Sequence, residues 1–530
     1  MGDAQGQRFT ATRSGVIVLL AIAGLACLWV RLGRLPNIYD EGLTLAGADR
    51  ILLGDVPYKD FWHTHPPGQI WLTAAVFWLV GESMMAARTL DAAVKVLLAI
   101  SIWNWAGRLG LERGAGRAIA VTAFAFAVLW LEALGTFGYA GFPALLCGLE
   151  SLRLVLRSLD EPDVRRAGRL MAGAGLVAGA GALFRLDSGV HGAAAATVTV
   201  LLFHATATPQ LHDGRWRAAS GALAIFASGA AVPLLLALGA LAAQGVSAQS
   251  LFDTLVVYPA TVFPDMRRLP PPAPSWRTLA FYVPIGLGVL GLARGVLRLK
   301  RSERHDTQAL GWCALSLLVL AAIPQARTRA DLLHQLPVLL PTLPLAAAWG
   351  EALWRRGPPG RAGAAMLAPL FALTYLWQPA TSWLGPPPTR SQRDHGLARA
   401  AGVALRADQA AAVRAVQRLA PPGAFVYVGN GRHDRSVAND ALFYFLAARQ
   451  YPTYYHNLLP GLTTREAAQR IIVSDLRSHG VRCVVLCTQF DEATEPNASR
   501  ESGSADLDAY LRGAYGLTST IGQYQVWVRR

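Results

Sequence analysis

The sequence predicts a mainly helical, polytopic membrane protein with a C-terminal soluble α/β domain. Of its 530 residues, 53% are hydrophobic and only 16% are charged, whereas soluble proteins usually carry about 25% charged residues. Long apolar runs follow one another from residue 14 to residue 380. The run Pro386-Pro387-Pro388 then separates them from a more polar segment, as proline runs between structural units often do. We therefore expect a membrane domain over residues 1–380 and a soluble α/β domain over residues 381–530.

The apolar runs predict about eleven membrane-spanning helices, because a span needs roughly 20 apolar residues. The first run follows Arg8 and Arg13 and looks like a signal peptide, but it lacks a convincing small-residue cleavage pattern. We expect this helix to be retained, with its start in the cytoplasm. The predicted spans are 14–34, 87–107, 117–134, 138–157, 169–185, 188–204, 218–242, 278–298, 308–324, 335–353 and 363–380.

The positions of the basic residues predict the orientation of these helices. Lys and Arg accumulate in cytoplasmic loops, and alternation from a cytoplasmic start places every basic cluster on that side. The loops around Asp40, around Arg185, over 243–277 and over 325–334 then face outward, as does the C-terminal domain. The basic clusters are Arg108, Arg113 and Arg117; Arg157, Arg165, Arg166 and Arg169; Arg215 and Arg217; Arg298, Lys300, Arg301 and Arg304; and Arg355, Arg356 and Arg361.

Shorter elements are predicted outside the spans. The segment 68–80 is apolar but too short to cross a membrane easily, and Trp71 and Trp78 are typical interfacial anchors. We expect this segment to lie at the membrane surface. In the C-terminal domain, runs rich in β-branched and aromatic residues predict strands, and apolar periodicity predicts helices. The strands are expected over 424–428, 483–486 and 524–528, and the helices over 440–448 and 464–478.

Charge and cysteine content limit the classes of function. The formal net charge is +15, but the Arg residues lie at the ends of apolar spans rather than on a soluble basic face. This pattern is typical of membrane topology and not of nucleic-acid binding, so we expect no nucleic-acid partner.

Cys483 and Cys487 lie four residues apart on a predicted strand, which separates their Cα atoms by about 13 Å in an extended chain. A disulfide needs Cα atoms within about 7 Å, so this pair is predicted to be unbridged.

Asp40 and Glu41 are the candidate catalytic residues. They follow directly on the first predicted span, where carboxylates are costly unless they have a function. A carboxylate at the membrane surface can abstract a proton from a hydroxyl group, and Asp40 is the favoured base. The alternative is structural, because acidic residues near a helix start often act as caps. In that case they would also form an ion pair with Arg31 or Arg34.

The same external loop holds four candidate substrate-binding residues, Tyr58, Asp60, His63 and His65, within eight positions. Aromatic and imidazole groups suit recognition of a sugar ring and a phosphate. His63 and His65 are also potential zinc ligands, although two His residues with one between them are a weak metal signal. The sequence therefore predicts hydrogen bonding to substrate or support of the loop, and it leaves binding of a divalent metal open. No cofactor is assigned.

Two further outward segments carry candidate binding residues. Arg185 and Asp187 lie at an external helix end, where they either pair only with each other or present Arg185 to an anionic ligand. The second segment is a candidate phosphate clamp, because arginine offers paired donors that match phosphate oxygens. Its alternative role is contact with lipid headgroups. This segment contains Arg327, Arg329, Asp331 and His334.

These motifs resemble the first external loop of bacterial membrane glycosyltransferases of the C superfamily. The residues that carry the resemblance are Asp40-Glu41, Leu53 to Asp60, His65-Pro66-Pro67 and Gly81 to Arg88. The most similar groups are the protein mannosyltransferase-like, aminoarabinose transferase-like and rhizobial lipopolysaccharide transferase-like enzymes. The segment Arg327 to His334 resembles a later external loop of the same enzymes. The resemblance covers roughly residues 14–380.

The resemblance implies a hexosyl- or pentosyltransferase that takes its sugar from a polyprenyl phosphate. Transfer would occur at the outer face of a bacterial inner membrane, with inversion, to an extracytoplasmic glycan, lipid or protein. Asp40 would deprotonate the acceptor, and Arg and His residues of the external loops would stabilise the departing phosphate. The C-terminal domain would be periplasmic or extracellular, at the surface of the lipid bilayer.

One departure from the superfamily and one competing function remain. Several members carry a second acidic residue after the third span, whereas Leu134 to Gly141 has only Glu132 nearby. This departure puts a metal site in doubt.

The competing function is a transporter or flippase of lipid-linked saccharide. Such a protein would place charges near mid-membrane and often contain inverted repeats. The charges of this chain gather at one face and no repeat is visible, which favours the enzyme.

Overall fold

The structure, a computed structural model, describes residues 2–111, 115–206, 214–302, 306–492 and 503–530, with the backbone alone for 2–13 and 115. Arg113 and Arg304 of the predicted basic clusters lie outside the described residues, as do the side chains of Arg8 and Arg13. The chain is mainly helical with one small C-terminal sheet, as predicted.

The N-terminal half consists of helices joined by short loops. Ser83 caps the start of α4 by accepting a hydrogen bond from the backbone N–H of Ala86 at 3.2 Å, and Asp163 caps α7 in the same way. Such caps satisfy amide groups that a helix start leaves unpaired. The helices are α1 Gly2–Trp29, α2 Asp40–Leu52, α3 Gly68–Val80, α4 Met84–Arg108, α5 Ala115–Ala133, α6 Gly141–Asp160, α7 Val164–Ala182, α8 Leu186–Ala205 and α9 Arg215–Ala243.

The second half of the membrane region contains several short helices before its long ones. A π-helical turn over Asp253–Val257 joins the first two short helices. The helices are α10 Ala248–Phe252, α11 Tyr258–Ala260, α12 Val262–Arg267, α13 Leu279–Arg301, α14 Thr307–Ala321, α15 Ile323–Thr328, α16 Leu332–Leu339, α17 Thr342–Trp354 and α18 Pro358–Trp383.

Ten of the eleven predicted spans each fall mainly on one helix, whereas the span 335–353 covers the bent pair α16 and α17. The number of membrane crossings stays a prediction. Among the described residues, five helical segments are long and apolar enough to cross a membrane, or six if the bent pair α16 and α17 forms one span. The helix α3 has 13 residues, in agreement with the expectation that segment 68–80 is too short to span. The helices pack around one large apolar core that includes Trp105, Trp130 and Trp312, which are all fully buried.

The C-terminal domain is built on a four-stranded sheet of order β1-β2-β4-β3. The predicted strands are confirmed as β1, β2 and β4, and the sequence pattern missed β3. Cys483 and Cys487 on β2 are both free, as predicted. The elements are α19 Arg390–Arg393, α20 Ala407–Leu419, β1 Val426–Asn430, α21 Leu442–Ala447, α22 Glu466–Ser478, β2 Cys483–Cys487, α23 Asp506–Ala514, β3 Tyr515–Ile521 and β4 Tyr524–Arg529.

The helix α2 lies directly against the C-terminal domain. The backbone N–H of Leu442 donates to the carbonyl of Ile38 at 3.1 Å, and Tyr451 donates its hydroxyl proton to Asp49 at 2.8 Å. Gly42 faces the backbone of Ala441 and Leu442 so closely that a Cβ atom could not be accommodated without movement. Residues of α2 and α3 therefore share one apolar core with the C-terminal domain. The position of α2 depends on these contacts.

We expect Gly42→Ala to destabilise the protein, because the added methyl group would push α2 away from the backbone at Leu442. Overpacking of this kind costs about 1–3 kcal/mol. The measurement is the thermal unfolding midpoint in detergent micelles. The control is Gly173→Ala in α7, where nothing lies within 4 Å of the added methyl group. Equal midpoints for the two variants would contradict the close packing of α2 on the domain.

Candidate functional site

Asp40 is the first residue of α2, and the turn before it holds its carboxylate in place. The Asn37 side-chain oxygen accepts hydrogen bonds from the backbone N–H groups of Tyr39 and Asp40, both at 3.0 Å. This is the local turn that asparagine favours. The Asn37 amide also donates to Oδ2 of Asp40 at 2.8 Å. Within the described ranges Oδ1 of Asp40 accepts no hydrogen bond, so one oxygen of a half-buried carboxylate is available.

The charge state of Asp40 is set by burial and by two cationic neighbours. Burial raises the pKa of Asp40 above its usual value, because a buried carboxylate loses hydration. The charges of His334 and Arg267 and the hydrogen bond from Asn37 oppose this effect and offset it in part. These interactions also indicate that Asp40 lies near two other segments, the end of α12 and the start of α16.

Unlike Asp40, Glu41 accepts hydrogen bonds at both of its carboxylate oxygens. Arg88 donates to them at 2.6 and 2.8 Å, and the two side chains are 2% and 0% exposed. Arg88 also donates to the backbone carbonyls of Leu32 and Arg34. Glu41 therefore anchors α2 to α4, through an ion pair with Arg88 rather than with Arg31 or Arg34.

The predicted phosphate clamp forms a compact unit around Asp331. One Asp331 oxygen accepts from Arg329 at 2.8 Å, and the other contacts the His334 ring at 2.7 Å and caps α16. Burial would raise the pKa of Asp331, but the hydrogen bonds and charge of His334 outweigh it and hold the pKa at about 2. Arg329 also donates to the carbonyl of Arg267 at 3.0 Å. Asp331 thus orients an arginine and a histidine, whereas Arg327 is exposed.

Arg185 and Asp187 form an ion pair that also contacts Tyr139. Arg185 donates to the two Asp187 oxygens at 3.0 and 2.7 Å and to the Tyr139 hydroxyl at 2.8 Å. Tyr139 also lies within electrostatic range of Asp40 and Asp331. The pair is therefore part of the same neighbourhood as the clamp.

The four candidate residues of the first external loop occupy two different environments. His65 is an exposed residue and lies within electrostatic range of Arg185 and His334. His63 is 9% exposed, and burial lowers its pKa to about 4, so it is neutral at pH 7. Tyr58 and Asp60 build the loop itself. The Tyr58 hydroxyl donates to the His65 carbonyl at 2.5 Å, and Asp60 accepts from the backbone N–H of Val56 at 2.8 Å.

A buried charge cluster supports the loop that carries Tyr139. Lys95 contacts Asp91 at 2.8 Å and Glu132 at 2.9 Å, and it donates to the carbonyl of Thr136 at 2.7 Å. Asp91 accepts from the backbone N–H of Gly138 at 3.1 Å. Because Glu132 forms an ion pair with Lys95, its role is to support the packing of this loop. The sequence drew attention to Glu132 but not to Asp91 or Lys95, because Glu132 lies 37 positions from Lys95 in the chain.

The structure thus places several of the predicted site residues within electrostatic range of one another. Asp40, His65, Arg185, Asp331 and His334 interact electrostatically with one another or through Tyr139. Sequence reasoning missed three residues of this neighbourhood: Asn37, Tyr139 and Arg267. The loop Leu134 to Gly141 contains no acidic residue, so the sequence pattern did not mark its tyrosine as a site residue. Within the described parts of the chain, no group of three or more His, Cys, Asp or Glu side chains is arranged to hold a metal ion.

Comparison with known families gives one match. Residues 64–231 match the family model of dolichyl-phosphate-mannose-protein mannosyltransferase. This segment begins in the first external loop and extends through most of α9. A comparison with curated protein sequences finds no match.

Comparison with solved structures identifies proteins of the same fold. The archaeal oligosaccharyltransferase AglB from Archaeoglobus fulgidus, in complex with an inhibitory peptide and a dolichol-phosphate, is 11% identical; the match covers 97% of this chain and 74% of AglB, with a TM-score of 0.51. ArnT from Cupriavidus metallidurans bound to undecaprenyl phosphate is 15% identical, with coverages of 97% and 98% and a TM-score of 0.50. Together with the family match, this fold confirms the predicted resemblance to membrane glycosyltransferases of the C superfamily.

The different environments of Asp40 and Glu41 predict effects of very different size on stability. Glu41→Gln would leave the buried charge of Arg88 without a counter-charge, at a cost of about 3–5 kcal/mol. Asp40→Asn keeps an acceptor for Asn37 and should change the unfolding free energy by less than about 0.5 kcal/mol. The measurement is thermal unfolding of both variants in micelles. A larger loss for Asp40→Asn than for Glu41→Gln would overturn this assignment.

Proposed function

We propose that this chain is a glycosyltransferase that moves a sugar from a polyprenyl phosphate to an extracytoplasmic acceptor, with inversion. The observation that carries the proposal is the half-buried Asp40 carboxylate, which has one oxygen without a hydrogen bond among the described residues and lies within electrostatic range of His334 and Arg267. A base next to cationic and imidazole groups suits a reaction that takes a proton from one oxygen and releases a phosphate from another. The lipid phosphates bound to AglB and ArnT, which share the fold, support this choice of donor.

The donor phosphate would bind among the cationic and imidazole groups of the external loops. Arg185 is held by Asp187 and Tyr139, and Arg329 and His334 are held by Asp331. Groups oriented in this way need little reorganisation when charge develops on a leaving phosphate, which is how preorganised donors lower a barrier. His65, an exposed residue next to this cluster, would contact the phosphate from the side of the first loop.

The chemical step is a single displacement at the anomeric carbon. Asp40 takes the proton from an acceptor hydroxyl while the hydroxyl oxygen attacks the anomeric carbon from the face opposite the phosphate. The bond between this carbon and the phosphate oxygen breaks, and its electron pair leaves with the lipid phosphate. One displacement inverts the configuration of the carbon. General base catalysis contributes about 10²–10⁴ in rate.

In this proposal Asp40 is the base and Glu41 is a positioning residue. The two Glu41 oxygens are occupied by Arg88, so Glu41 has no acceptor capacity toward a substrate proton. It fixes the first turn of α2 and thereby the direction of the Asp40 carboxylate. We propose further that residues 1–380 form the transfer domain in a bacterial inner membrane and that residues 381–530 lie at its outer, periplasmic or extracellular face.

One structural feature bears on the competing function, transport of a lipid-linked saccharide. The buried cluster of Asp91, Lys95 and Glu132 is the kind of intramembrane charge that transporters use. Here Lys95 and Asp91 also bond the backbone of the loop over Thr136 and Gly138. We infer that the cluster supports the Tyr139 loop. A transport assay with labelled lipid-linked sugar would separate the two functions.

The central test is sugar transfer in membranes. We expect Asp40→Asn to lower transfer from labelled polyprenyl-phosphate sugars about 10²–10⁴-fold at matched expression. The matched control is Asp265→Asn, the same change at an exposed position of α12, which should retain wild-type transfer. Equal transfer by wild type and Asp40→Asn would exclude Asp40 as the base. Absence of transfer by wild type with every donor tested would contradict the proposed function.

The raised pKa of Asp40 predicts the acid limb of the pH profile. The base acts only when ionised, so transfer should fall as the pH drops through the pKa of Asp40. Because burial raises this pKa, the midpoint should lie above the ordinary aspartate value of about 4. The measurement is kcat/KM for the donor from about pH 3 to about pH 8, at constant ionic strength. A limb with its midpoint at or below about 4 would contradict the assignment.

A further inference from the structure

An open cavity of about 730 Å³ lies on the surface of the C-terminal domain, between α22 and α23. It is separate from the candidate site, since all of its lining residues belong to these two helices. Its volume is within the usual range for ligand pockets, about 300–1,000 Å³. The polar side chains that line it are Arg470, Ser474, Arg477, Ser478, Asp506 and Tyr510, and a valine and an alanine complete the lining.

The sheet separates this cavity from the helix that carries Asp40. Val484 and Leu486 of β2 belong to the apolar cluster that packs under α22 and α23, whereas Val485 of the same strand belongs to the cluster shared with α2. Successive side chains of a strand point to opposite faces of a sheet. The cavity therefore lies on the other side of the sheet from α2, and a molecule bound there is remote from the proposed base.

Arg477 is held at the cavity by an aromatic ring rather than by an acid. Its guanidinium lies over the Tyr510 ring, 4.9 Å from the ring centroid. In the part of the chain that the structure describes, no carboxylate lies within ion-pair distance of Arg477. A cation–π contact holds a guanidinium through its face and leaves its N–H donors available. Arg477 is therefore an oriented arginine that can offer paired donors to a carboxylate.

The other arginine of the cavity has its charge compensated. Arg470 lies about two helical turns before Arg477, and it contacts Asp506 at 3.7 Å and also pairs with Glu466. The charge of Arg477 is therefore the one that a ligand would balance. A ligand with one negative charge matches it, whereas a second negative charge would be repelled by the carboxylates around Arg470.

The rest of the lining suits a ring that carries hydroxyl groups. Ser474 and Ser478 are exposed residues one helical turn apart on α22, and both line the cavity. Val473 and Ala509 add apolar surface between the polar groups. Sites for small organic ligands combine apolar surface with a few placed polar groups in this way. A bare anion would contact Arg477 and leave most of the cavity unused.

From these observations we infer that the cavity binds a saccharide that carries one carboxylate group, a sugar of the uronic acid class. Arg477 would bind the carboxylate, and Ser474 and Ser478 would bind hydroxyl groups of the ring. The inference goes beyond the proposed function, because it assigns a second site that takes no part in sugar transfer.

The test is saturation-transfer NMR on the full chain, in micelles of a detergent without a sugar headgroup. The acidic probes are the methyl glycosides of glucuronic and galacturonic acid. Their matched neutral probes are the methyl glycosides of glucose and galactose, in which a hydroxymethyl group replaces the carboxylate. We expect an acidic probe to bind about tenfold or more tightly than its neutral partner, because hydrogen bonds between charged groups contribute on this scale. Equal binding within both pairs, or no binding of either acidic probe, would overturn the inference.

A pair of arginine variants tests the position of the site. Arg477→Gln should weaken binding of the acidic probe about tenfold, whereas Arg418→Gln should bind as wild type does. Both arginines lie in the last turn of a 13-residue helix of the C-terminal domain, and Arg418 does not line the cavity. Arg477→Lys keeps the charge but loses the paired donors, so its affinity should lie between those of wild type and Arg477→Gln. Equal losses in Arg477→Gln and Arg418→Gln would reveal diffuse attraction to basic residues and overturn the site.

Inorganic phosphate, added as a competitor, separates a saccharide site from a simple anion site. The acidic saccharide should bind more tightly than phosphate, because it also contacts the serines. Phosphate that competes as strongly as the acidic saccharide would overturn the saccharide assignment. Thermal unfolding midpoints equal to that of wild type check that the variants are folded.

Failure of this inference is distinct from failure of the proposed function. The binding measurements use neither a lipid phosphate nor sugar transfer, so the absence of transfer by wild type would leave them unaffected. We also expect Arg477→Gln to transfer sugar from polyprenyl phosphate as wild type does. Loss of transfer in this variant, at matched expression, would contradict a site that is separate from the chemistry.

Discussion

The ion pair between Glu41 and Arg88 is the contact on which the geometry of the site depends. Arg88 links three parts of the chain, because it binds Glu41 on α2 and the carbonyls of Leu32 and Arg34 after α1. The pair is fully buried, so its formation carries a desolvation penalty that only good geometry can offset. A buried pair of this kind contributes orientation more than net stability. Here it fixes the first turn of α2, where Asp40 lies.

From this anchor, short contacts connect the external segments to one another. Thr44 on α2 donates to the carbonyl of Gly138 at 3.0 Å, which joins α2 to the loop that carries Tyr139. Tyr139 contacts Arg185, and the backbone N–H of Gly68 donates to the carbonyl of Leu183 at 2.8 Å. The candidate site is therefore assembled from loops that are far apart in the sequence. Its order comes from these cross-connections, since isolated loops of this length would be mobile.

The sequence predicted those features that depend on local patterns. Apolar run length located the helices, and β-branched runs located β1, β2 and β4. An acidic pair after the first helix selected Asp40 as the candidate base, which stays a prediction. The pattern missed β3, whose inner and outer faces do not alternate cleanly because a register shift interrupts its pairing with β4 near Leu517. Hydrophobic alternation is the signal by which a half-buried strand is recognised, so an irregular strand escapes it.

The features that the sequence could not predict are pairings between distant residues. Glu41 and Arg88 are 47 positions apart, and Lys95 and Glu132 are 37 apart. Each residue alone is compatible with several partners, as the expected pairing of Glu41 with Arg31 or Arg34 illustrates. The close contact at Gly42 is invisible for the same reason, since a glycine in a helix reveals nothing about what lies against it. Only the tertiary arrangement decides among such alternatives.

The contact of α2 with the backbone of Ala441 and Leu442 has a consequence for how this architecture can change. The C-terminal domain does not fold independently of the helices before it, because it packs against the helix that bears Asp40. A chimera joined at the proline run near residue 386 would place a foreign surface against α2. Recombination between relatives would therefore have to exchange the first external loop and the C-terminal domain together, so the two segments are constrained to diverge as a pair.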